Sequence, residues 1–330
     1  MAARRSFSLL FFLAFSTLHS LSQSQSDPIL YDIYPFIRVY KNGTIQRFIG
    51  QDFSPPSTDP ATGVLSKDVR FSHLSARLYL PRNAAGKLPL LIYFHGGGFF
   101  TESAFSPTYH HHLTSLVAAA RVAAVSVNYR LAPEHPLPAA YQDAWLALQW
   151  ALSRSADPWI KNHADLGRFY LGGDSAGANI AHRMAIRVGQ DNPGPGINLR
   201  GMFLNCPFFL GKKEIGNESG DAYTEAQMRK LWVYAYPGSA AGLDDPLVNP
   251  GTDPELGRVG CGRVLVYVAG KDVLRFRGRY YAAALGRSGW KGEVKVVEVE
   301  GESHVFNLIN PNSAKAAAML RVLASFLNHS

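Results

Sequence analysis

Short apolar or β-branched runs recur along the chain: LPLLIYF (88–94), VAAVSVNY (122–129), GRFYLGG (167–173), RGMFLNC (200–206), RVLVYVAG (263–270) and EVKVVEVE (293–300). Before them, ARLYLP alternates as a strand does. The intervals carry helical spacing. Ala140, Ala144, Trp145, Leu148 and Leu152 share one face, as do Ile180, Ala181, Met184, Ala185 and Val188, and a last helix runs near Ala314 to Phe326. Strands alternating with helices predict a mainly parallel sheet with helices on both faces. One interval breaks the rhythm. After the fifth of these runs, counting ARLYLP as the first, residues 207–260 carry loops and one helical stretch, YTEAQMRKLWVYAYP, with no clear strand. A long insertion in a compact α/β domain reads as a functional cap.

In open α/β sheets, ligands bind beyond the carboxyl ends of the strands. Four of the runs end in chemistry. His95-Gly96-Gly97-Gly98-Phe99 follows the first of the six, Asp174-Ser175-Ala176-Gly177 the third, Lys271-Asp272 the fifth and Gly301-Glu302-Ser303-His304 the last. Gly173 and Gly177 flank Ser175 as in a sharp strand-to-helix turn that exposes a nucleophile. A serine hydroxyl is a weak nucleophile at neutral pH and needs a base, which His304 can be; Asp272 would hold the histidine in one tautomer. The order Ser, Asp, His belongs to hydrolases of this architecture. The N–H groups of Gly97, Gly98 and Ala176 would stabilise the oxyanion. Taken singly each residue has a plainer reading: Ser175 as a helix N-cap, Asp272 as a loop aspartate, His304 as a satisfied loop histidine. Their convergence on one sheet edge favours a nucleophile, a base and an acid that orients the base.

The motifs YFHGGGF (93–99), VNYRLAPEHPLPAAYQDAW (127–145), GDSAGANIAH (173–182), LDDPLVNP (243–250), GKDVLRFRG (270–278) and GESHVFNL (301–308) extend the pattern over the chain from about Tyr34. Together they resemble plant carboxylesterases of the hormone-sensitive-lipase-like α/β-hydrolase group. The resemblance implies an α/β-hydrolase fold, with Ser175, Asp272 and His304 as the triad and Gly97, Gly98 and Ala176 as oxyanion donors. It also implies a cap made by residues of about 27–50 and 207–260, within one domain spanning 27–330. The expected activity is serine-dependent hydrolysis of small apolar carboxylic esters, with a small-molecule ester as partner and no metal or organic cofactor. The group also contains hydroxyisoflavanone dehydratases and alkaloid-pathway lyases, so elimination at the same site is the alternative. It contains the gibberellin receptor as well, which lacks the catalytic histidine; His304 argues against a receptor. Phe99, Phe100, Phe208 and Trp232 are the candidate walls of an apolar substrate pocket, three of them because they follow strand ends.

Composition narrows the partners. A formal charge of +8 is spread without a Lys/Arg tract, which excludes a nucleic-acid footprint. Two cysteines cannot build a zinc cluster, and Cys206 ends one strand while Cys261 begins the next, so no disulfide is expected. Tyr109-His110-His111-His112 lacks the i, i+4 spacing of a helical metal pair and reads as a half-buried helix start. Arg4 and Arg5, the apolar run Phe7 to Leu18 and the small residues Ser20 and Ser22 form the layout of a secretory signal peptide over 1–22. That run of 12 residues is too short to span a bilayer stably. Secretion or an endomembrane location is the expected destination, with a cytoplasmic or organellar one as the alternative. Asn42, Asn217 and Asn328 head sequons that glycans could use on the secretory route.

Overall fold

In a computed structural model of the chain, residues 27–153 and 156–328 are described. The expected leader, 1–22, lies outside them, as does the end of the third sequon. A small antiparallel sheet comes first, formed by β1 (Ile29–Ile33), β2 (Ile37–Tyr40) and β3 (Ile45–Arg47). The main sheet contains β4 (Leu65–Phe71), β5 (Leu74–Leu80), β6 (Leu88–Phe94), β7 (Ala123–Asn128), β8 (Ala164–Asp174), β9 (Leu199–Asn205), β10 (Arg263–Ala269) and β11 (Glu293–Val299). Their spatial order is β11-β10-β9-β8-β6-β7-β5-β4. Strands β6 to β11 pair in parallel; β4 with β5 and β5 with β7 are antiparallel. The helices are α1 (Pro107–Ala120), α2 (Ala139–Ala151), α3 (Pro158–His163), α4 (Ala176–Asp191), α5 (Ala222–Ala235), α6 (Arg275–Arg287), α7 (Phe306–Ile309) and α8 (Ala314–Asn328).

The core lies on both faces of the sheet. Along β6, Leu88, Leu90, Ile92 and Phe94 face α2, α4 and α6, while Leu91 and Tyr93 face α1 and α8. This is the two-residue alternation of a strand covered on each side, which explains why the sequence there is continuously apolar. The six runs appear as β6 to β11 and ARLYLP falls in β5. The edge strand β4 and the small sheet were not expected. β4 reads LSKDVRF and has no fully buried residue, because an edge strand has one neighbour and a half-wet face.

Two segments sit over the carboxyl edge of the sheet. Tyr31 of the small sheet stacks on Tyr234 at 3.9 Å between ring centroids, and the Leu137 N–H donates to the Ala235 carbonyl at 2.8 Å. The 207–260 insertion is tied to α6 by a buried ion pair. Arg277 Nε donates to Glu218 Oε1 at 2.5 Å, and its terminal nitrogen donates to Glu218 Oε2 at 2.8 Å and to the Lys213 carbonyl at 2.6 Å. Removing one partner of such a pair leaves a buried charge and costs about 3–5 kcal/mol. Arg277→Ala is therefore expected to lower unfolding stability by about that amount in a urea titration. A loss below about 1 kcal/mol would show that the pair does not anchor the insertion.

Candidate active site

Strand register brings the chemistry to one edge. Phe94 stands opposite Gly173, Asp174 and Tyr267 both opposite Asn205, and Ala269 opposite Val299. The residues that follow β6, β8, β9, β10 and β11 therefore leave the sheet side by side.

Ser175 occupies the turn between β8 and α4 with φ 51° and ψ −120°, a left-handed conformation that costs energy for any side-chain-bearing residue. The surroundings hold it there. Its N–H donates to the Asn205 carbonyl at 2.9 Å, and its carbonyl accepts from Phe208 N–H at 3.0 Å. A Cβ on Gly177 would strike the Phe94 and His95 carbonyls, so only glycine lets the helix come this close to β6. Although Ser175 stands at the N-cap position, its hydroxyl makes no capping bond. The plain N-cap reading of this serine therefore fails.

His304 follows β11. Its Nδ1 lies 2.6 Å from Asp272 Oδ2, and the other Asp272 oxygen accepts from Leu274 N–H at 3.0 Å. A carboxylate accepts, so Nδ1 carries the proton and Nε2 is left as the basic nitrogen. Burial works against a charged ring, but the charge and hydrogen bond of Asp272 outweigh it and hold the His304 pKa well above its ordinary value. Asn205 Nδ2 donates to Asn307 Oδ1 at 2.9 Å and ties the histidine loop to the end of β9.

Cys206 was not expected at the site. Its Sγ, an Asp272 oxygen and a His304 ring nitrogen lie within 4.8 Å of one another. Burial pushes its thiol pKa up, with His304 opposing, so it stays a neutral thiol beside the ring. It is a free cysteine, as is the buried Cys261.

The glycine loop after β6 is held from beneath. The Tyr109 hydroxyl accepts from Gly96 N–H and donates to Asp174 Oδ2, both at 2.8 Å, while Tyr93 donates to Asp174 Oδ1 at 2.7 Å. Burial lifts the Asp174 pKa to about 6, with both tyrosine bonds opposing. Gly97 adopts φ 98° and Gly98 φ 63°; a Cβ on Gly97 would collide with the Thr101 carbonyl. Among the described residues, the N–H groups of Gly97, Gly98 and Ala176 donate to no protein acceptor. Arg47 of β3 secures the loop from outside. Its Nε donates to the Phe100 carbonyl at 2.6 Å, and its terminal nitrogens grip Glu134 at 2.9 and 2.6 Å.

Ser175, His304, Gly97 and Gly98 line a cavity of about 440 Å³. Its apolar wall is Phe36, Ile49, Met228, Leu231, Leu308 and Ile309. Ala176 and Asp272 lie behind this surface. The expected walls Phe99, Phe100, Phe208 and Trp232 are not part of it. All four are 0–1% exposed and pack in the core behind the glycine loop, with Phe99 meeting Phe208 and Trp232 edge to face at 5.9 and 6.4 Å. On α5 the reason is geometric. Neighbouring helical side chains point about 100° apart, so Leu231 reaches the cavity while Trp232 turns into the core.

The profile of the α/β-hydrolase fold matches residues 91–308, two-thirds of the chain. This chain belongs to that family. It is 48% identical over 312 residues to "Probable carboxylesterase 1" of Arabidopsis thaliana, covering 91% of this chain and 97% of the relative. It is 44% identical over 324 residues to a 2-hydroxyisoflavanone dehydratase of Glycyrrhiza echinata, covering 93% of this chain and 99% of that one. These relatives place it among the plant carboxylesterase-like members of the family. Among solved structures, the metagenomic carboxylesterase EstE1 superimposes with a TM-score of 0.68 at 29% identity over 80% of this chain and 87% of that one. A thermostable esterase of Pseudomonas putida gives 0.70 at 25% identity over 83% and 86%.

Proposed function

We propose that this α/β-hydrolase is a serine carboxylesterase that hydrolyses small apolar carboxylic esters through an acyl-enzyme. One observation carries the reading: His304, paired with Asp272 at 2.6 Å, shares a cavity wall with Ser175, whose hydroxyl is withheld from the helix it precedes. In the proposed mechanism Nε2 of His304 takes the Ser175 proton as Oγ attacks the ester carbonyl. Asp272 stabilises the imidazolium, and Gly97, Gly98 and Ala176 supply N–H groups to the oxyanion. His304 then protonates the departing alcohol, and water, activated by the same ring, releases the acid. His304 shuttles the Ser175 proton to the alcohol and a proton of the attacking water back to Ser175, so the sequence of steps calls for no metal or organic cofactor. The small sheet and the 207–260 insertion act as a cap, since Phe36, Ile49, Met228 and Leu231 from these segments face Leu308 and Ile309. The carboxylesterase and esterase relatives support the same chemistry, and the leader reading carries with it a secretory or endomembrane destination.

The dehydratase relative, matched along 99% of its length, favours a second reading. In it the same oxyanion donors hold a substrate carbonyl while His304 moves a proton in an elimination. The two separate on p-nitrophenyl acetate, butyrate and octanoate. The carboxylesterase reading expects a burst followed by turnover, with a chain-length preference set by the cavity. Folded protein with neither burst nor turnover would contradict it.

A further inference from the structure

The cavity holds a carboxyl group that ester hydrolysis leaves unused. Both Asp174 oxygens accept from tyrosines, and the Tyr109 hydroxyl is engaged as donor and acceptor. Glu102 differs. It lines the catalytic cavity and also the neighbouring cleft of about 470 Å³, and its Oε2 is buried without a hydrogen-bond partner. An orphaned buried acceptor costs stability, so a bound group that satisfies it gains what the empty site lacks. The terminal torsion of a glutamate is broad and roughly two-fold, so a modest rotation would turn this oxygen toward a ligand in the cavity.

The backbone there is also unusual. Glu102 has φ 71°, a left-handed conformation disfavoured for a side-chain-bearing residue, and a Cβ on Gly50 would strike its backbone. The chain thus holds a carboxyl at this point at a conformational cost, with glycine facing it from the N-terminal segment. Burial raises its pKa; a hydrogen bond from Ser106 opposes this, while the nearby Asp52 charge adds to it. Among the described residues no lysine or arginine lines the cavity, whereas Glu102 and Asp174 both do.

We propose that Glu102 is the specificity-determining acceptor of this cavity. It selects esters whose apolar body carries a hydrogen-bond donor, a hydroxyl or an ammonium group, and it rejects esters that carry a second carboxylate. This assignment rests on the ester-hydrolase reading of Ser175 and adds a substrate class to it.

The test uses four p-nitrophenyl esters of 3-phenylpropanoic acid whose para position carries hydrogen, hydroxyl, aminomethyl or carboxylate. Within each protein, kcat/KM ratios cancel any loss of active fraction. Wild type is expected to favour one or both donor-bearing esters over the unsubstituted one by about tenfold, and to turn over the carboxylate ester most slowly. Glu102→Leu should bring the donor preference to about unity. Glu102→Gln keeps an acceptor and gains a donor, so it should retain part of the hydroxyl preference and relieve the carboxylate penalty by about tenfold. Ratios in both variants equal to wild type, or no donor preference in wild type, would overturn the proposal. Ser175→Ala run beside them separates the two claims. If it keeps turnover, the hydrolase reading fails; if it loses turnover while the Glu102 variants leave every ratio unchanged, the Glu102 assignment alone fails.

Discussion

Ser175→Ala is expected to lower kcat for p-nitrophenyl butyrate by roughly 10⁴–10⁶, with KM changed little. The reasoning starts from the hydroxyl. It makes no capping bond, so its removal takes away the nucleophile and little else. Alanine tolerates the φ of 51° about as poorly as serine does, and folding stability should stay within about 0.5 kcal/mol of wild type. His304→Ala should cost a comparable factor, and the double variant should be little worse than either single one, because nucleophile and base act as a unit. A Ser175→Ala protein that keeps more than a few per cent of wild-type kcat would remove this serine from the mechanism.

The second large effect belongs to Asp272. Asp272→Asn is expected to lower kcat by about 10⁴, since an amide fails to hold His304 in the tautomer that leaves Nε2 basic. It should also move the pH profile, and the sign follows from the opposing influences on His304. Burial lowers its pKa, while the charge and hydrogen bond of Asp272 raise it and prevail. The base must lose its proton to act, so kcat/KM should rise with pH through a midpoint above the ordinary histidine value of about 6.5. Without the Asp272 charge, burial prevails and the acid limb should shift to lower pH. Residual activity that titrates at an unchanged midpoint would show that Asp272 does not set the histidine's proton affinity.

Much of this architecture could be read from the chain, for identifiable reasons. Strands β6 to β10 are largely enclosed on both faces, so each is a short apolar run that local patterning betrays, while the edge strand β11 shows itself by alternating charged and β-branched residues. The candidates Ser175, Asp272 and His304 stood out because each follows such a run, and glycine marks the places where backbone must approach backbone. What escaped depends on contacts distant in sequence. Phe36 and Ile49 reach the cavity from the N-terminal segment, and no periodicity in that segment points to a wall. Cys206 sits beside His304 only because β9 lies next to β10 in the sheet. Phe99, Phe100, Phe208 and Trp232 were placed in the pocket as aromatics, three of them because they follow strand ends, yet a turn of the chain or one step along a helix sends each inward. Tyr109 escaped attention beside three histidines, although its hydroxyl links Gly96 to Asp174.

The most direct measurement of the central claim is covalent trapping. The full protein is incubated with an organophosphate ester such as paraoxon, and intact and peptide masses are recorded beside Ser175→Ala and His304→Ala. A nucleophile activated by His304 predicts one phosphoryl group per wild-type chain, on Ser175, none on Ser175→Ala, and labelling slowed by orders of magnitude in His304→Ala. Folded wild-type protein that stays unlabelled, or carries the group on another residue, would contradict it.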